Sequence, residues 1–219
     1  MTDSVVGYNP EIAKKAETSM LSYRDSGHTL LLKLSDGLVE KLEKCWFAPE
    51  SKVIVQSFID IIADLAHNHY VKFSDLLLKI QKACTSWAQT VGENYQISVP
   101  AGSPFRAFYT DASAWMKDDN NGFRGIISQN IPEILTFISG ERIRYQEMTN
   151  NVASVLRSCD FFLGANQMNN FLNELNTNLK NVQQKLDEVV EKLNKGIEET
   201  KEKYQQTAQA NAQRFASGN

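Results

Sequence analysis

The chain has 219 residues, of which 42% are hydrophobic, and this length suffices for one or two domains with a buried core. Its net charge is −3 and its basic residues form no block, so it lacks the basic footprint of a nucleic-acid binder. Neither half carries a Lys/Arg-rich helix face, so the sequence gives no strong membrane signal either.

The N-terminal residues contain no basic stretch followed by an apolar run. We therefore expect no conventional signal peptide, and no apolar run is long enough to predict a membrane span. The three cysteines, Cys45, Cys84 and Cys159, all lie on apolar stripes, which predicts buried thiols.

The first predicted helix begins at Asn9-Pro10-Glu11. Asparagine is a good cap, proline fits the first position, and glutamate opposes the helix dipole. The helical pattern then continues to about Cys45. Gly27 weakens it by about 1 kcal/mol relative to alanine, which makes residues 25–27 the candidate position for a break.

An aromatic corner follows the first helix. An apolar stripe from Leu34 ends at Trp46-Phe47, and Pro49 suits the first turn of a new helix because it has no N–H to donate. The apolar pattern resumes by Phe58 and continues to about Val91, which predicts a second helix on the order of 60 Å long.

The pattern breaks between Gly92 and Gly102. Ser103-Pro104 predicts a short helix, and residues 117–122 form a polar turn. Four apolar residues share one face of that short helix: Phe105, Phe108, Ala112 and Trp115. We therefore divide the chain into a first helical hairpin (1–99), a linker with a short helix (100–122) and a second hairpin (123–219).

The second hairpin repeats the organisation of the first. Its first helix is predicted from about Asn130 to Cys159, and its second carries a heptad-like apolar seam. The seam consists of Phe171, Leu175, Leu179, Val182, Leu186, Val189, Leu193, Ile197 and Tyr204. No strand is predicted. The fold class is all-α, with two long antiparallel hairpins that form an elongated four-helix bundle.

The two hairpins share one apolar register. Shifted by 114 residues, the stripe from Leu34 to Cys45 falls on Met148 to Cys159. Shifted by 113 residues, Phe58 falls on Phe171, and the rest of both second helices stays in register. This correspondence predicts an internal duplication.

The two corners carry a resemblance. The first reads Trp46-Phe47-Ala48 and the second Phe162-Leu163-Gly164, and each is followed by an aromatic residue in the next helix, Phe58 or Phe171. The chain thus resembles two tandem units of the Trp-x-Gly (WXG, ESAT-six-like) family of type VII secretion substrates. Each corner keeps half of the motif, since Ala48 replaces glycine and Phe162 replaces tryptophan.

The resemblance implies a non-enzymatic helical protein of a type VII (ESX/Ess-like) system, either a secreted substrate or a co-secreted partner. It implies export without a signal peptide, with the secretion machinery or a co-secreted helical protein as partner. Family pairs commonly carry Tyr-x-x-x-Asp/Glu as an export signal, and no tyrosine here has that spacing. We therefore expect either a co-secreted partner or another signal after Tyr204.

A second interpretation of the sequence does not depend on the family resemblance. Long antiparallel helices also occur in cytoplasmic or membrane-associated adaptors, such as BAR-like or coiled-coil scaffolds. Fold alone does not choose between the two functions.

The sequence contains one weak candidate for a metal site. Asp60, Asp64 and His67 share a helix face, and Asp64-x-x-His67 loosely resembles the Glu-x-x-His of di-metal bundles. His69 points away from this face, and a metal site would need a second carboxylate–histidine set. A solvated acidic face is therefore expected.

A cysteine nucleophile would need a nearby base, for which His28 is the candidate, but all three thiols occupy core positions. We expect no catalytic residue, no metal and no cofactor.

Overall fold

A computed structural model describes residues 7–98 and 123–217. These ranges contain helices and no β-strand, apart from one isolated bridge between Trp46 and Ile126. The helices are α1 (Pro10–Glu43), α2 (Ser51–Thr90), α3 (Ile131–Arg157), the short α4 (Asp160–Leu163) and α5 (Ala165–Ala216). The prediction of an all-α protein is confirmed for the described residues.

Helix α1 begins as predicted. The Asn9 side-chain oxygen accepts hydrogen bonds from the backbone N–H groups of Glu11 (3.0 Å) and Ile12 (3.2 Å), and Pro10 occupies the first turn. The predicted break at residues 25–27 is wrong, because α1 is continuous through Gly27. A Cβ atom at Gly27 would overlap the His69 ring, so the glycine serves a close approach between helices.

The helix ends lie within two residues of the approximate predicted positions. Helix α1 ends at Glu43 rather than Cys45, and α2 starts at Ser51 rather than Pro49. Helix α3 likewise ends at Arg157, before Cys159. At all three ends, backbone hydrogen bonds of the corner close tight turns that interrupt the helix, as in the bond from the Ser51 N–H to the Ala48 carbonyl (3.0 Å).

Neighbouring long helices run antiparallel. Helix α1 packs against α2 and α3, and α5 packs against the same two helices. Lys41, near the end of α1, pairs with Glu133 at the start of α3, and Lys203, late in α5, pairs with Glu50 before α2 (3.2 Å). The hairpins α1–α2 and α3–α5 thus lie side by side in opposite directions, which is compatible with the predicted bundle.

The interior contains two apolar clusters. One surrounds Trp46, Phe58 and the middle of α5, and the other surrounds Phe73, Phe162 and Phe171. Every residue of the predicted α5 seam is buried except Leu179 and Tyr204, which are half-buried. The heptad pattern therefore identified the inward face of α5 correctly.

Some predictions lie outside the described residues. They are the short helix with Phe105, Phe108, Ala112 and Trp115, the polar turn at residues 117–122, and the domain boundary. The division at residues 99 and 122 therefore stays a prediction.

Candidate functional site

The first corner, residues 44–50, packs against α5 at Gly196. Trp46 is buried, with an exposed fraction of 1%, and its ring faces Gly196 of α5. A Cβ atom at Gly196 would lie 2.7 Å from Cη2 of Trp46 and 2.6 Å from Cδ1 of Ile54. Ala48 is also buried. The corner therefore packs tightly on the opposite hairpin.

The same corner receives the chain that enters the second hairpin. The Ile127 N–H donates to the Cys45 carbonyl (2.7 Å), and the Phe47 N–H donates to the Gly125 carbonyl (2.8 Å). Phe123 packs edge-on against Phe47, with ring centroids 5.9 Å apart. Sequence reasoning missed this bridge, because no local pattern links two short segments so far apart.

The second corner, residues 158–164, closes the other end of the core. Phe162 is buried, and its carbonyl oxygen accepts a hydrogen bond from Trp87 Nε1 (2.6 Å) at the end of α2. Tyr8 stacks on Trp87, with ring centroids 6.3 Å apart. Gly164 is exposed and has a φ of 83°, a positive value that glycine adopts without strain.

All six predicted corner residues are therefore placed. Five are buried, and Gly164 supplies the backbone reversal. The five buried residues are Trp46, Ala48, Phe58, Phe162 and Phe171. Each corner makes contact with the opposite hairpin, while the identification of these residues with a Trp-x-Gly motif stays a prediction.

A polar layer, composed of Tyr23, His69, Tyr145, Thr149 and Asn178, separates the two apolar clusters. His69 Nε2 lies 3.1 Å from the carbonyl oxygens of both Tyr23 and Arg24, so it must donate. In neutral His69, Nδ1 then accepts from the Tyr145 hydroxyl at 2.6 Å. Burial lowers the pKa of His69 to about 4, which keeps the ring neutral at physiological pH.

The remaining protons of the polar layer follow from the same reasoning. Asn178 donates to the Tyr145 hydroxyl, which links α5 to the other three helices. Thr149 donates to the Tyr145 carbonyl (2.9 Å) and therefore accepts from the Tyr23 hydroxyl (3.0 Å). Burial raises the pKa of Tyr23 and of Tyr145, so both phenols stay protonated.

Sequence reasoning recognised only that His69 faces away from His67. The sequence signal for this layer is that polar side chains occupy positions on the buried helix faces, between apolar core residues. Buried networks of this kind help to specify one arrangement of the helices, because an unsatisfied member would be costly.

A buried carboxylate holds the segment that follows α2. Glu17 of α1 accepts hydrogen bonds from Gln81 (2.9 Å), the Tyr95 hydroxyl (2.9 Å) and the Ser98 N–H (2.7 Å), and Lys14 pairs with it at 3.0 Å. Burial by itself would raise the pKa of Glu17, but these hydrogen bonds outweigh burial and hold it below its ordinary value. Residues 93–98 are therefore fixed along the first hairpin.

The candidate metal ligands lie on the exposed surface of α2. Asp60, Asp64 and His67 are exposed on α2, and no group of three potential metal ligands occurs among the described residues. The three side chains are accessible to solvent, as on a solvated helix face.

The three cysteines are buried and free of disulfides. Burial raises the pKa of Cys45 and of Cys84 to about 11, and also raises that of Cys159, so the thiolate is disfavoured. His28 Nδ1 lies 3.0 Å from the Ala66 carbonyl, whereas Cys84 lies against the Ala13 carbonyl.

The last turns of α5 project beyond the first corner. Every residue from Gln205 to Ala216 is exposed, after the ion pair of Lys203 with Glu50. At 1.5 Å per residue this projecting end is about 18 Å long. Phe215 has an exposed fraction of 88%, and Arg214 is the one charged side chain in the segment.

Within the described residues, these features define an all-α class of protein with four long, packed helices, the last of which projects beyond the first corner. Comparison with protein-family models, with curated proteins and with solved structures finds no match. Within residues 7–98 and 123–217, no helix combines the length and the hydropathy that crossing a membrane requires.

Proposed function

We propose that the chain is a non-enzymatic helical protein of a type VII (ESX/Ess-like) secretion system, exported as a substrate or together with a partner. In this proposal the two hairpins form an elongated four-helix bundle. The observation that carries it is the antiparallel packing of two hairpins, each with a corner against the other hairpin. Substrates of the Trp-x-Gly family are exported as folded helical pairs. In this proposal the two hairpins of one chain form such a pair.

The projecting end of α5 is the part that we assign to recognition. The side chains of this end are exposed, whereas the apolar seam of α5 that precedes it is buried in the core. The Tyr-x-x-x-Asp/Glu spacing is absent, so recognition would rest on other side chains, and Phe215 is the largest exposed apolar one. Apolar side chains at helical spacing are the usual anchors when a helix binds a groove of another protein.

The test compares culture supernatants from a host with an active type VII system and from the same host without the system's ATPase. We expect the protein outside the cell only when the ATPase is present, and we expect removal of residues 205–219 or Phe215→Ala to reduce export. Ile143→Ala is the matched control, because Ile143 is another exposed apolar side chain, with an exposed fraction of 53%, on α3. A cytoplasmic marker monitors lysis.

Two outcomes would contradict secretion by this route. The protein would appear outside both hosts, or outside neither while a known substrate of the system is exported. Either result would favour the second candidate, a cytoplasmic or membrane-associated adaptor, which the long antiparallel helices also fit. An ATPase-dependent export that ignores residues 205–219 would retain the pathway and reassign the signal.

A further inference from the structure

Two of the three buried thiols lie over one turn of α1. Cys84 Sγ, on α2, is 3.9 Å from the Ala13 carbonyl oxygen, and Cys159 Sγ, in the second corner, is 4.0 Å from the Ile12 carbonyl oxygen. Carbonyl oxygens of consecutive helical residues are about 3–4 Å apart. The two sulfurs therefore reach the same turn of α1 from different hairpins.

The surroundings of the two thiols support this pairing. Cys84 and Cys159 belong to one apolar cluster, together with the small side chains Ala13 and Ala16, and both thiols are completely buried. Burial is the main cause of the raised pKa of Cys84, and the negative charge of a Cys159 thiolate would raise it further. The two sulfurs are thus close enough to interact electrostatically.

We propose that Cys84 and Cys159 are a latent disulfide pair, which forms when the chain meets a low-molecular-weight disulfide and then joins the two hairpins covalently. One cysteine thiolate attacks the small disulfide, forms a mixed disulfide and releases one small thiolate. The second cysteine thiolate attacks the protein sulfur of that mixed disulfide and releases the other. The pair loses two electrons and two protons, and the small disulfide is reduced to two thiols.

The position of Cys159 allows the pair to close. A disulfide requires sulfurs about 2.0 Å apart and α-carbons about 4.4–6.8 Å apart. Cys159 lies between the end of α3 at Arg157 and the start of α4 at Asp160, so a shift of this corner moves its sulfur without bending a long helix. Its thiol lies 3.3 Å from the Val155 carbonyl oxygen and exchanges this contact for Cys84.

Tyr8 covers the pair. Its half-buried ring stacks on Trp87 and meets Phe162 edge-on, with ring centroids 6.3 and 6.4 Å apart. Burial raises the pKa of Tyr8, and the charge of a nearby Cys84 thiolate would raise it further. Tyr8 precedes the Asn9 cap of α1, so it can move away without unfolding a helix. Local opening of this kind costs less free energy than global unfolding, so we assign the access of the oxidant to this end.

Cys45 provides an internal control. It follows the other end of α1, and the helix from Ala13 to Glu43 is about 45 Å long. Cys45 is as completely buried as the other two cysteines, and its pKa is likewise raised to about 11. A difference in reactivity between Cys45 and the pair therefore reports the nearby second thiol rather than burial.

The experiment incubates the purified full chain with oxidised glutathione, counts free thiols after denaturation, and maps the disulfide by mass spectrometry of peptides prepared without reductant. We expect three thiols before and one after, with a single link between Cys84 and Cys159 within one chain. The midpoint of thermal unfolding should rise by about 5–10 °C and return on reduction. Cys84→Ala and Cys159→Ala should each abolish this rise, whereas Cys45→Ala should leave it intact.

A second measurement tests the access route. Tyr8→Ala should speed formation of the link about tenfold, because it uncovers the pair. Tyr204→Ala is the matched control, since Tyr204 is also half-buried but lies near the opposite end of the bundle, next to the ion pair of Lys203 with Glu50. Equal rates in these two variants would refute the role of Tyr8.

Circular dichroism of each variant checks that the helices remain. A chain that keeps three free thiols, a link that includes Cys45, or a link between two chains would each overturn the disulfide proposal. The measurement uses purified protein without a secretion system, so it succeeds or fails independently of the proposed function.

Discussion

At the scale of single residues, the contact between Trp46 and Gly196 is the clearest determinant of how the hairpins fit together. Trp46→Ala should lower the free energy of unfolding by about 3–5 kcal/mol, because it leaves a cavity in the core. Gly196→Ala should lower it by about 1–3 kcal/mol, because the added methyl group meets both Trp46 and Ile54. Urea unfolding of the variants measures both values.

Gly140 provides the control for this contact. It also lies inside a helix, but a Cβ atom there meets nothing within 4 Å. Gly140→Ala should therefore raise the free energy of unfolding by about 1 kcal/mol through helix propensity. Equal stability of Gly140→Ala and Gly196→Ala would show that Trp46 does not press on α5.

His69 predicts a specific dependence of stability on pH. Its folded-state pKa is about 4, whereas the unfolded chain has an ordinary histidine near 6.5. As the pH falls, the unfolded state binds the proton first, so stability is complete above pH 6.5 and is lost between about 6.5 and 4. The expected loss is about 3 kcal/mol.

Urea midpoints at pH 7, 5.5 and 4.5 should show this decline, and His69→Gln should flatten it. His67→Gln is the matched control, since His67 lies two residues away on the exposed face of α2. A decline that persists unchanged in His69→Gln would assign the effect to other groups. Glu17 acts in a lower window, because its pKa is depressed and its stabilisation is lost only as the pH falls below about 4.5.

At the scale of elements, Gly164 decides how α4 joins α5. Its φ of 83° and ψ of 140° lie near a region that is used almost only by glycine, yet the space around a Cβ atom is open. Gly164→Ala should therefore cost about 1–3 kcal/mol through backbone strain alone, and Gly164→Val more. Thermal unfolding of Gly164→Ala is compared with that of Gly140→Ala. The difference reports the backbone strain at residue 164, because the added methyl group meets no neighbour in either variant.

The helices themselves were predictable from the sequence. A stripe with a period near 3.6 residues identifies both the helix and its buried face, and the α5 seam shows this well. The helix ends were not predictable to better than two residues at Cys45, Pro49 and Cys159, because the closing hydrogen bonds of each corner depend on the three-dimensional path of the chain.

The contacts between the helices could not be predicted from the sequence either. The bond between His69 and Tyr145, the bonds to Glu17 and the bridge at Ile126 connect positions that share no local pattern. Four of the predicted corner residues, by contrast, stand at breaks in the helical pattern that are visible locally, namely Trp46, Ala48, Phe162 and Gly164, whereas Phe58 and Phe171 lie on the apolar stripes of the helices that follow. The burial of all six except Gly164 follows from these positions.

At the scale of the whole molecule, the two hairpins should recognise each other without a covalent link. Each long helix of one hairpin packs in part against one helix of the other, α1 against α3 and α2 against α5, and long helices gain little stability without such packing. Residues 1–102 and 120–219, expressed separately, should form a one-to-one complex in sedimentation velocity. The first fragment keeps residues 93–98 on Glu17, and the second keeps the strand-like contact at Ile126 with the first corner.

The complex should also protect the backbone amides of α5 from hydrogen exchange to the same extent as the intact chain, measured in parallel. Two fragments that are each stable monomers and that ignore each other would refute the shared core. Fragments that are unfolded apart and folded together would support it most directly.

The projecting end of α5 also determines how the molecule responds to tension. A force applied to that end acts along the axis of α5, which lies antiparallel to both of its packed neighbours. The load is therefore shared by the whole seam from Phe171 to Ile197 at once, in shear, instead of peeling the helix away one turn at a time. Anything that draws this chain by its α5 end must either move the four helices as one object or break their common core in a single step.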